Sequence, residues 1–270
     1  EPPMNKTIIM FDMDGTLTEP RQAFDYSLLG DSLYSLTNAG VDIGIITGSD
    51  EDYLREQMGE FLLKSSSRYK THLLPCNGTK YFRPPKRAND DFKLKIDVSM
   101  KEMLGEDKYH KLIEELILSQ VHMCSYGIPL TGHFINCRGS LINWCPIGRN
   151  ANDKERTLFK KMDKDEDIRG KVIGELKAML EQKGLLRKLT IKFGGDTSFD
   201  IYPKGWDKTY GLRHFHGWDV WFVGDRCGEG GNDYELYEAC AGQSYITSGP
   251  THTKEIIECI HSNLREKNER

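Results

Sequence analysis

Thr7-Ile8-Ile9-Met10-Phe11-Asp12-Met13-Asp14-Gly15-Thr16 is the stretch on which the reading of the whole chain turns. Its first five residues are a continuous apolar run, the pattern of a strand buried on both faces. Asp12 and Asp14 then set two carboxylates where that strand must turn. At strand period they would point to the same side while the chain stays extended. Gly15 permits a tight turn, and Thr16 adds a hydroxyl. Paired carboxylates at the carboxyl end of a parallel strand are suited to holding Mg²⁺ and attacking a phosphate.

The segments that follow continue the style. Tyr26–Asn38 reads as a helix ended by Gly40, Val41–Thr47 as a second buried strand, and Asp50 as the cap of a helix to about Lys64. Strand-helix-strand order implies a doubly wound parallel sheet. The pattern changes at Arg83-Pro84-Pro85-Lys86-Arg87, read as a linker. Beyond it come a long helix from about Ser99 to Met123, strand-like runs at His133–Arg138 and Leu141–Cys145, and a helical stretch from Asp153 to Gln182. Two further strand-like runs follow, Leu189–Phe193 and Ser198–Tyr202. The last part returns to the first style. A helix opens at Trp206-Asp207-Lys208, Val220–Val223 is a buried strand, and Thr253–Asn263 is a final helix. The fold class is therefore α/β, with a doubly wound parallel-sheet core and an inserted α+β cap. The expected divisions are 1–84 core, 85–204 cap and 205–270 core.

Composition narrows the function. The chain has 270 residues, 38% hydrophobic and 29% charged, with net charge −4. No general electrostatic pull toward nucleic acid or anionic membrane follows from that balance. No apolar run approaches the roughly 20 residues that span a bilayer, and nothing at the amino end resembles a signal peptide. Glu1-Pro2-Pro3, ahead of Met4, reads as an expression remnant and is set aside. Seven cysteines without a C-x-x-C pair argue against a disulfide framework or a zinc site, and fit a reducing, cytoplasmic setting.

The chemistry should gather at strand ends. Asp12 is the candidate nucleophile, because a carboxylate can attack phosphorus and split one difficult step into two. Asp14 is the candidate general acid and base. At Thr47-Gly48-Ser49-Asp50 a hydroxyl, from Thr47 or Ser49, and free N–H groups can bind the transferring phosphate. Lys208 offers a point charge for it. Asp225, Asn232 and Asp233 supply oxygens of the kind Mg²⁺ prefers, beside Asp12 and Asp14. His214-x-His216 reads as structural or surface rather than as a metal pair.

This four-part pattern resembles the haloacid-dehalogenase-like phosphotransferases. The resemblance extends to Phe11–Thr18 with Pro20-Arg21-Gln22, to Asn143–Arg149 before Glu155-Arg156, to Gly194–Asp200 leading into Gly205–Lys208, and to Gly224-Asp225 followed by Gly230–Asp233. In that order, over nearly the whole chain, these segments are similar to the eukaryotic phosphomannomutase family. The resemblance implies interconversion of mannose 6-phosphate and mannose 1-phosphate, supplying GDP-mannose synthesis. It implies Mg²⁺, glucose 1,6-bisphosphate or mannose 1,6-bisphosphate as activator, a hexose phosphate substrate, and a homodimer joined through the caps. Arg21, Arg138, Arg149 and Arg156 match the family's sugar-phosphate-binding arginines, and Ser198 and Asp200 match substrate-contacting positions. Thr47, Cys76, Asp196 and Arg226 depart from the family's usual residues.

A mutase must hold a sugar bisphosphate in two orientations, and guanidinium groups grip phosphate through bidentate, charge-assisted bonds. Two other readings use the same residues. One is a Mg²⁺-dependent sugar-phosphate phosphatase. The other is a catalytically silent sugar-phosphate-binding protein, against which the intact Asp12, Asp14, Lys208 and Asp225 argue.

Overall fold

Thr7–Phe11 forms strand β1, and its alternate side chains serve two cores. Ile9 and Phe11 point into one apolar cluster, Ile8 and Met10 into another, as the two-residue period of a strand requires. This is a computed structural model, and it describes residues 6–269. Glu1-Pro2-Pro3 lies outside them. The chain divides into two compact units, one running to Asp97 and resuming at Asp207, the other spanning Val98–Trp206.

The first unit continues from β1 through α1 (Tyr26–Asn38), β2 (Asp42–Ile46), α2 (Glu51–Gln57), α3 (Gly59–Lys64), β3 (Thr71–Leu74), β4 (Lys80–Arg83) and β5 (Lys93–Asp97). The second unit holds α4 (Met100–Leu104), α5 (Glu106–Cys124), β6 (Ile135–Cys137), β7 (Ile142–Trp144), α6 (Asp153–Glu166), α7 (Ile168–Gln182), β8 (Leu189–Gly194) and β9 (Ser198–Pro203). The first unit is completed by β10 (Asp219–Gly224), α8 (Tyr234–Ala239), β11 (Ser244–Ile246) and α9 (Pro250–Asn268).

In the first unit a seven-stranded sheet runs β11-β10-β1-β2-β3-β4-β5. Pairing is parallel from β11 to β3, and antiparallel from β3 through β5. Chain order moves outward from β1 on one side and resumes with β10 on the other. The sheet therefore has its topological switch point between β1 and β10, where ligands bind beyond the carboxyl ends. The parallel core agrees with the sequence expectation. The hairpin β4–β5 does not: the expected junction at 84/85 falls in its loop, and the units divide at Asp97/Val98 and Trp206/Asp207. β5 alternates polar and apolar residues (Lys93-Leu94-Lys95-Ile96-Asp97) yet is exposed along its whole length, as the edge strand of the sheet.

The second unit is an antiparallel sheet, β6-β7-β9-β8, with helices packed on one face. Trp144 and Phe199 stack in its core, ring centroids 4.8 Å apart. Three expected helices are broken. The 99–123 helix divides at Gly105 (φ 85°), and the 50–64 helix at Met58. The 153–182 helix divides at Asp167, which sits in the left-handed region (φ 49°). Lys208–Phe215 winds as a 3₁₀-helix capped by Asp207, not as an α-helix. No helix among the described residues is long and apolar enough to cross a membrane.

Candidate active site

Asp12 leaves β1 at the switch point, its backbone N–H still bonded to the Val223 carbonyl at 3.0 Å. The residue is 4% exposed. Lys208, buried at 1% exposure, donates through Nζ to Asp12 Oδ1 and to Asp233 Oδ1, both at 2.6 Å. Asp233 is fully buried, and its other oxygen accepts the N–H groups of Asp225 (3.2 Å) and Arg226 (3.1 Å). Asp233 thus ties the lysine to the loop after β10. Two glycines let that loop close on Asp12. Gly15 holds φ 79°, and a Cβ there would collide with Asp225 Oδ2. A Cβ on Gly224 would lie 2.6 Å from Asp233 Oδ2. Only residues without a side chain permit these approaches.

Asp12, Asp225 and Asp233 each present an oxygen, all within 4.8 Å of one another. Burial, then the negative charge of Asp233, pushes the Asp12 carboxyl well above its ordinary range, against the pull of Lys208. Asp225 is also raised, burial again the largest cause. Burial opposes the Lys208 ammonium, but the charges of Asp12 and Asp233 outweigh it and hold its pKa above the ordinary value. One buried cation faces three carboxylates, so the cluster lacks positive charge. Asp225 Oδ1 is buried with no hydrogen-bond partner among the described residues. An all-oxygen, electron-rich donor set with an orphaned buried oxygen fits a hard divalent cation.

A thermal titration checks this reading. Mg²⁺ at about 100 times its Kd is expected to raise the wild-type melting temperature by roughly 5 °C. Asp225→Asn is expected to lose most of that rise.

Asp14 does not join the three. The chain turns tightly after Asp12, with the Thr16, Leu17 and Thr18 N–H groups all bonded to the Met13 carbonyl. The extended geometry that would align the two aspartate side chains ends there, so the Asp14 carboxylate lies outside this cluster. Asp14 is bound instead by Tyr53, whose hydroxyl lies 3.0 Å from both carboxylate oxygens. The Arg21 N–H donates to Asp14 Oδ1 at 3.3 Å. Burial, then the charge of Asp14, pushes the Tyr53 phenol well above its usual value, so it remains a donor. Sequence reasoning missed Tyr53. Its only signal was a place three residues after the Asp50 cap, which sets it in the first turn of α2.

Thr47 is buried, and its hydroxyl accepts the Ser49 N–H at 3.1 Å. Its carbonyl accepts from Asn77 at 2.8 Å, and the Ser49 carbonyl accepts from Cys76 at 2.8 Å. Cys76 and Asn77 both have positive φ, which folds this loop onto the end of β2. Asn232 is exposed beside Asp233. His214 is structural, as expected: it stacks on Tyr81 at 4.6 Å and meets the Gly78 carbonyl at 2.7 Å.

The second unit gathers its own polar group. Asn143 and Asp200 are register partners on β7 and β9. Asn143 Nδ2 donates to Asp200 Oδ1 at 2.8 Å, and Arg149 Nη1 donates to Asn143 Oδ1 at 2.9 Å. Burial raises the Asp200 carboxyl, and the Asn143 hydrogen bond with the Arg138 and Arg149 charges opposes it. Arg138, Arg149 and Asp200 are therefore neighbours. Arg156 is anchored by the Ala151 and Arg149 carbonyls (3.1 and 3.3 Å) and Thr197 Oγ1 (3.3 Å). Ser198 is buried, and its carbonyl accepts from Arg169 at 3.1 Å. Asn143, the link between Arg149 and Asp200, was not singled out in the sequence.

A parallel-sheet core with its carboxylates and lysine at the switch point defines the class, an α/β enzyme of haloacid-dehalogenase type. The same fold occurs in an IMP-bound IMP-nucleotidase of Plasmodium falciparum (TM-score 0.67, 13% identity, 96% of this chain and 67% of that one). It also occurs in a trehalose-6-phosphate phosphatase of Aspergillus fumigatus (TM-score 0.52, 17% identity, 96% and 92%). The family description "Eukaryotic phosphomannomutase" matches residues 29–263. A phosphomannomutase of Arabidopsis thaliana is 36% identical over 249 residues, 91% of this chain and 93% of that one. One of Dendrobium officinale is 34% identical over 251 residues (92% and 91%), and phosphomannomutase 1 of Dictyostelium discoideum 34% over 256 (93% and 95%). The chain belongs to the eukaryotic phosphomannomutase family.

Proposed function

We propose that the chain interconverts mannose 6-phosphate and mannose 1-phosphate through a phosphorylated Asp12. The observation that carries this reading is the Asp12–Lys208 contact of 2.6 Å at the switch point, in a member of this family. A hexose 1,6-bisphosphate, with glucose or mannose as the sugar, gives one phosphoryl group to Asp12. The sugar–oxygen–phosphorus bond breaks, an acyl phosphate forms, and Asp14 protonates the departing sugar oxygen. In the second half-reaction a hydroxyl of a hexose monophosphate attacks the phosphorus on Asp12, and Asp14 takes its proton. Lys208 holds the phosphoryl oxygens by its charge, and the Thr47 or Ser49 hydroxyl donates to them. Mg²⁺, held by Asp12, Asp225, Asp233 and the adjoining Asn232, supplies charge neutralisation to the transferring group when bound.

Arg138, Arg149 and Arg156, with Ser198 and Asp200, grip the phosphate and sugar that are not reacting, and Arg21 contributes to the same recognition. The enzyme works as a cytoplasmic homodimer joined through its inserted unit and supplies mannose 1-phosphate for GDP-mannose synthesis. A coupled assay tests the reading. Mannose 1-phosphate is expected to become mannose 6-phosphate, activated by glucose 1,6-bisphosphate, with little free phosphate. Stoichiometric phosphate release without isomerisation would favour the phosphatase instead.

Two variants probe separate parts. Tyr53→Phe removes the hydroxyl that holds Asp14, a hydrogen bond to a charged group worth about 1.5–3 kcal/mol. Its kcat is expected to fall roughly tenfold or more, with KM little changed, and stopped-flow turnover reads both. Arg149→Ala is expected to cost isomerisation roughly thirtyfold through lost phosphate binding. Slow bisphosphate hydrolysis should persist, so the ratio of free phosphate to isomerised product rises.

A further inference from the structure

A large cleft of the first unit lies at the opposite ends of the strands from Asp12. It is a cleft of about 1060 Å³ beside Lys6, Asp42 and His72, which precede or open β1, β2 and β3. The β4–β5 hairpin forms its wall, and roughly 17 Å of strand separates it from the catalytic carboxylates. A volume of this size is ample for a small organic ligand.

The cleft carries a surplus of positive charge. Six of the residues that border it are cationic: Lys6, Lys70, Arg83, Lys86, Lys93 and Lys95. Its three acids are already engaged. Asp42 meets His72 at 2.8 Å and Lys70 at 3.7 Å. Asp91 meets Arg55 at 3.2 Å, and Asp90 accepts the Arg87 N–H at 3.1 Å. No ion pair holds Lys86, Lys93 or Lys95 among the described residues. Arg83 and Lys93 are direct cross-strand partners, and like charges so placed destabilise a sheet. Lys95 is the extra residue at the shift in register next to them. Repulsion from Lys93, with smaller contributions from burial, Arg83 and Lys86, lowers its pKa. Lysine on an edge strand guards against aggregation. That accounts for β5 alone, and not for Arg83 and Lys86 converging on the same cleft.

Aromatic surface lies beside these cations. Tyr69 is 39% exposed, Trp218 is half-buried with Lys6 Nζ 5.1 Å from its ring, and both border the cleft. The floor is preorganised: His72 Nδ1 meets the Tyr81 hydroxyl at 2.7 Å, and its other nitrogen is fixed by Asp42. Clustered cations without counter-ions want phosphate oxygens, and an exposed ring beside them offers a stacking surface.

We infer that this cleft is a second ligand site, separate from the catalytic one, for a phosphorylated small molecule with a flat ring, of the nucleotide class. Its phosphates lie against Arg83, Lys86, Lys93 and Lys95, and its ring against Tyr69.

Calorimetric titration of the full chain with ATP and with inorganic tripolyphosphate, both without divalent cation, tests the inference. Both are expected to bind, more weakly at high salt, and ATP at least about tenfold more tightly. The double variant Lys93→Glu, Lys95→Glu should weaken both probes by at least about tenfold. Its melting temperature should be no lower than wild type, since the Arg83–Lys93 repulsion is relieved, and its turnover of mannose 1-phosphate should match wild type. Tyr69→Ala should bring ATP down to the affinity of tripolyphosphate. No binding by the wild-type chain, or equal binding by the charge-reversed variant, overturns the site. Equal affinity for the two probes overturns the flat-ring assignment.

Discussion

Asp12→Asn is expected to remove turnover by a factor on the order of 10⁴ or more, while the metal-free protein becomes no less stable. The two effects have one cause. The Asp12 carboxylate is buried beside Asp225 and Asp233, so its charge is costly in the folded state, and in the proposed mechanism that same charge makes the nucleophile. An amide keeps the shape, removes the repulsion, and cannot form an acyl phosphate. The pH dependence has a definite sign. A carboxyl whose pKa is raised on folding binds its proton more tightly in the native than in the unfolded chain. Native protons then exceed unfolded ones, and stability falls as pH rises above the ordinary value of 3.8. Denaturant melts of the metal-free wild type from pH 4 upward should show that decline, and Asp12→Asn should flatten it.

Lys208→Met is expected to be the most damaging single change to stability. Its ammonium is buried between Asp12 and Asp233 at 2.6 Å from each. An apolar residue there leaves two buried carboxylates without their partner. Breaking a buried pair in this way costs about 3–5 kcal/mol, which lowers the melting temperature by roughly 10 °C. Activity should be lost as well. Mg²⁺ should stabilise this variant more than wild type, because a bound cation replaces part of the missing charge. Differential scanning calorimetry with and without Mg²⁺ reads both results. If Lys208→Met melted like wild type, the buried lysine would not be what neutralises the cluster.

The parallel core and the cluster around Asp12 were legible because their signals are local. The apolar run of β1 announces a buried strand, and the turn residues after it announce its end. Lys208, Asp225 and Asp233, which the fold gathers beside Asp12, each stand at the boundary of an element that the sequence pattern predicts. What the sequence hid depends on long-range packing. Asp14 reads as a partner of Asp12 until the turn at Gly15 carries it to Tyr53, 39 residues away in sequence. Arg83–Arg87 reads as a linker because Pro84-Pro85 interrupts the pattern, and β5, although it alternates Lys93, Leu94, Lys95 and Ile96, is exposed on both faces and pairs only through the long-range register with β4. Asn143 bridges Arg149 and Asp200 only through the register of β7 with β9, which no local pattern encodes. The broken helices follow from single positions, Gly105 and Asp167, whose left-handed backbone overrides otherwise favourable periodicity.

Phosphoryl transfer through Asp12 is tested most directly by trapping it. The protein is mixed with glucose 1,6-bisphosphate carrying a labelled phosphate, quenched in acid within one turnover, and cleaved for mass analysis. Stoichiometric label is expected on the peptide containing Asp12, and a chase with mannose 1-phosphate should move it onto the sugar. Label on another residue, or passing straight to inorganic phosphate with Asp12 never modified, would contradict the mechanism.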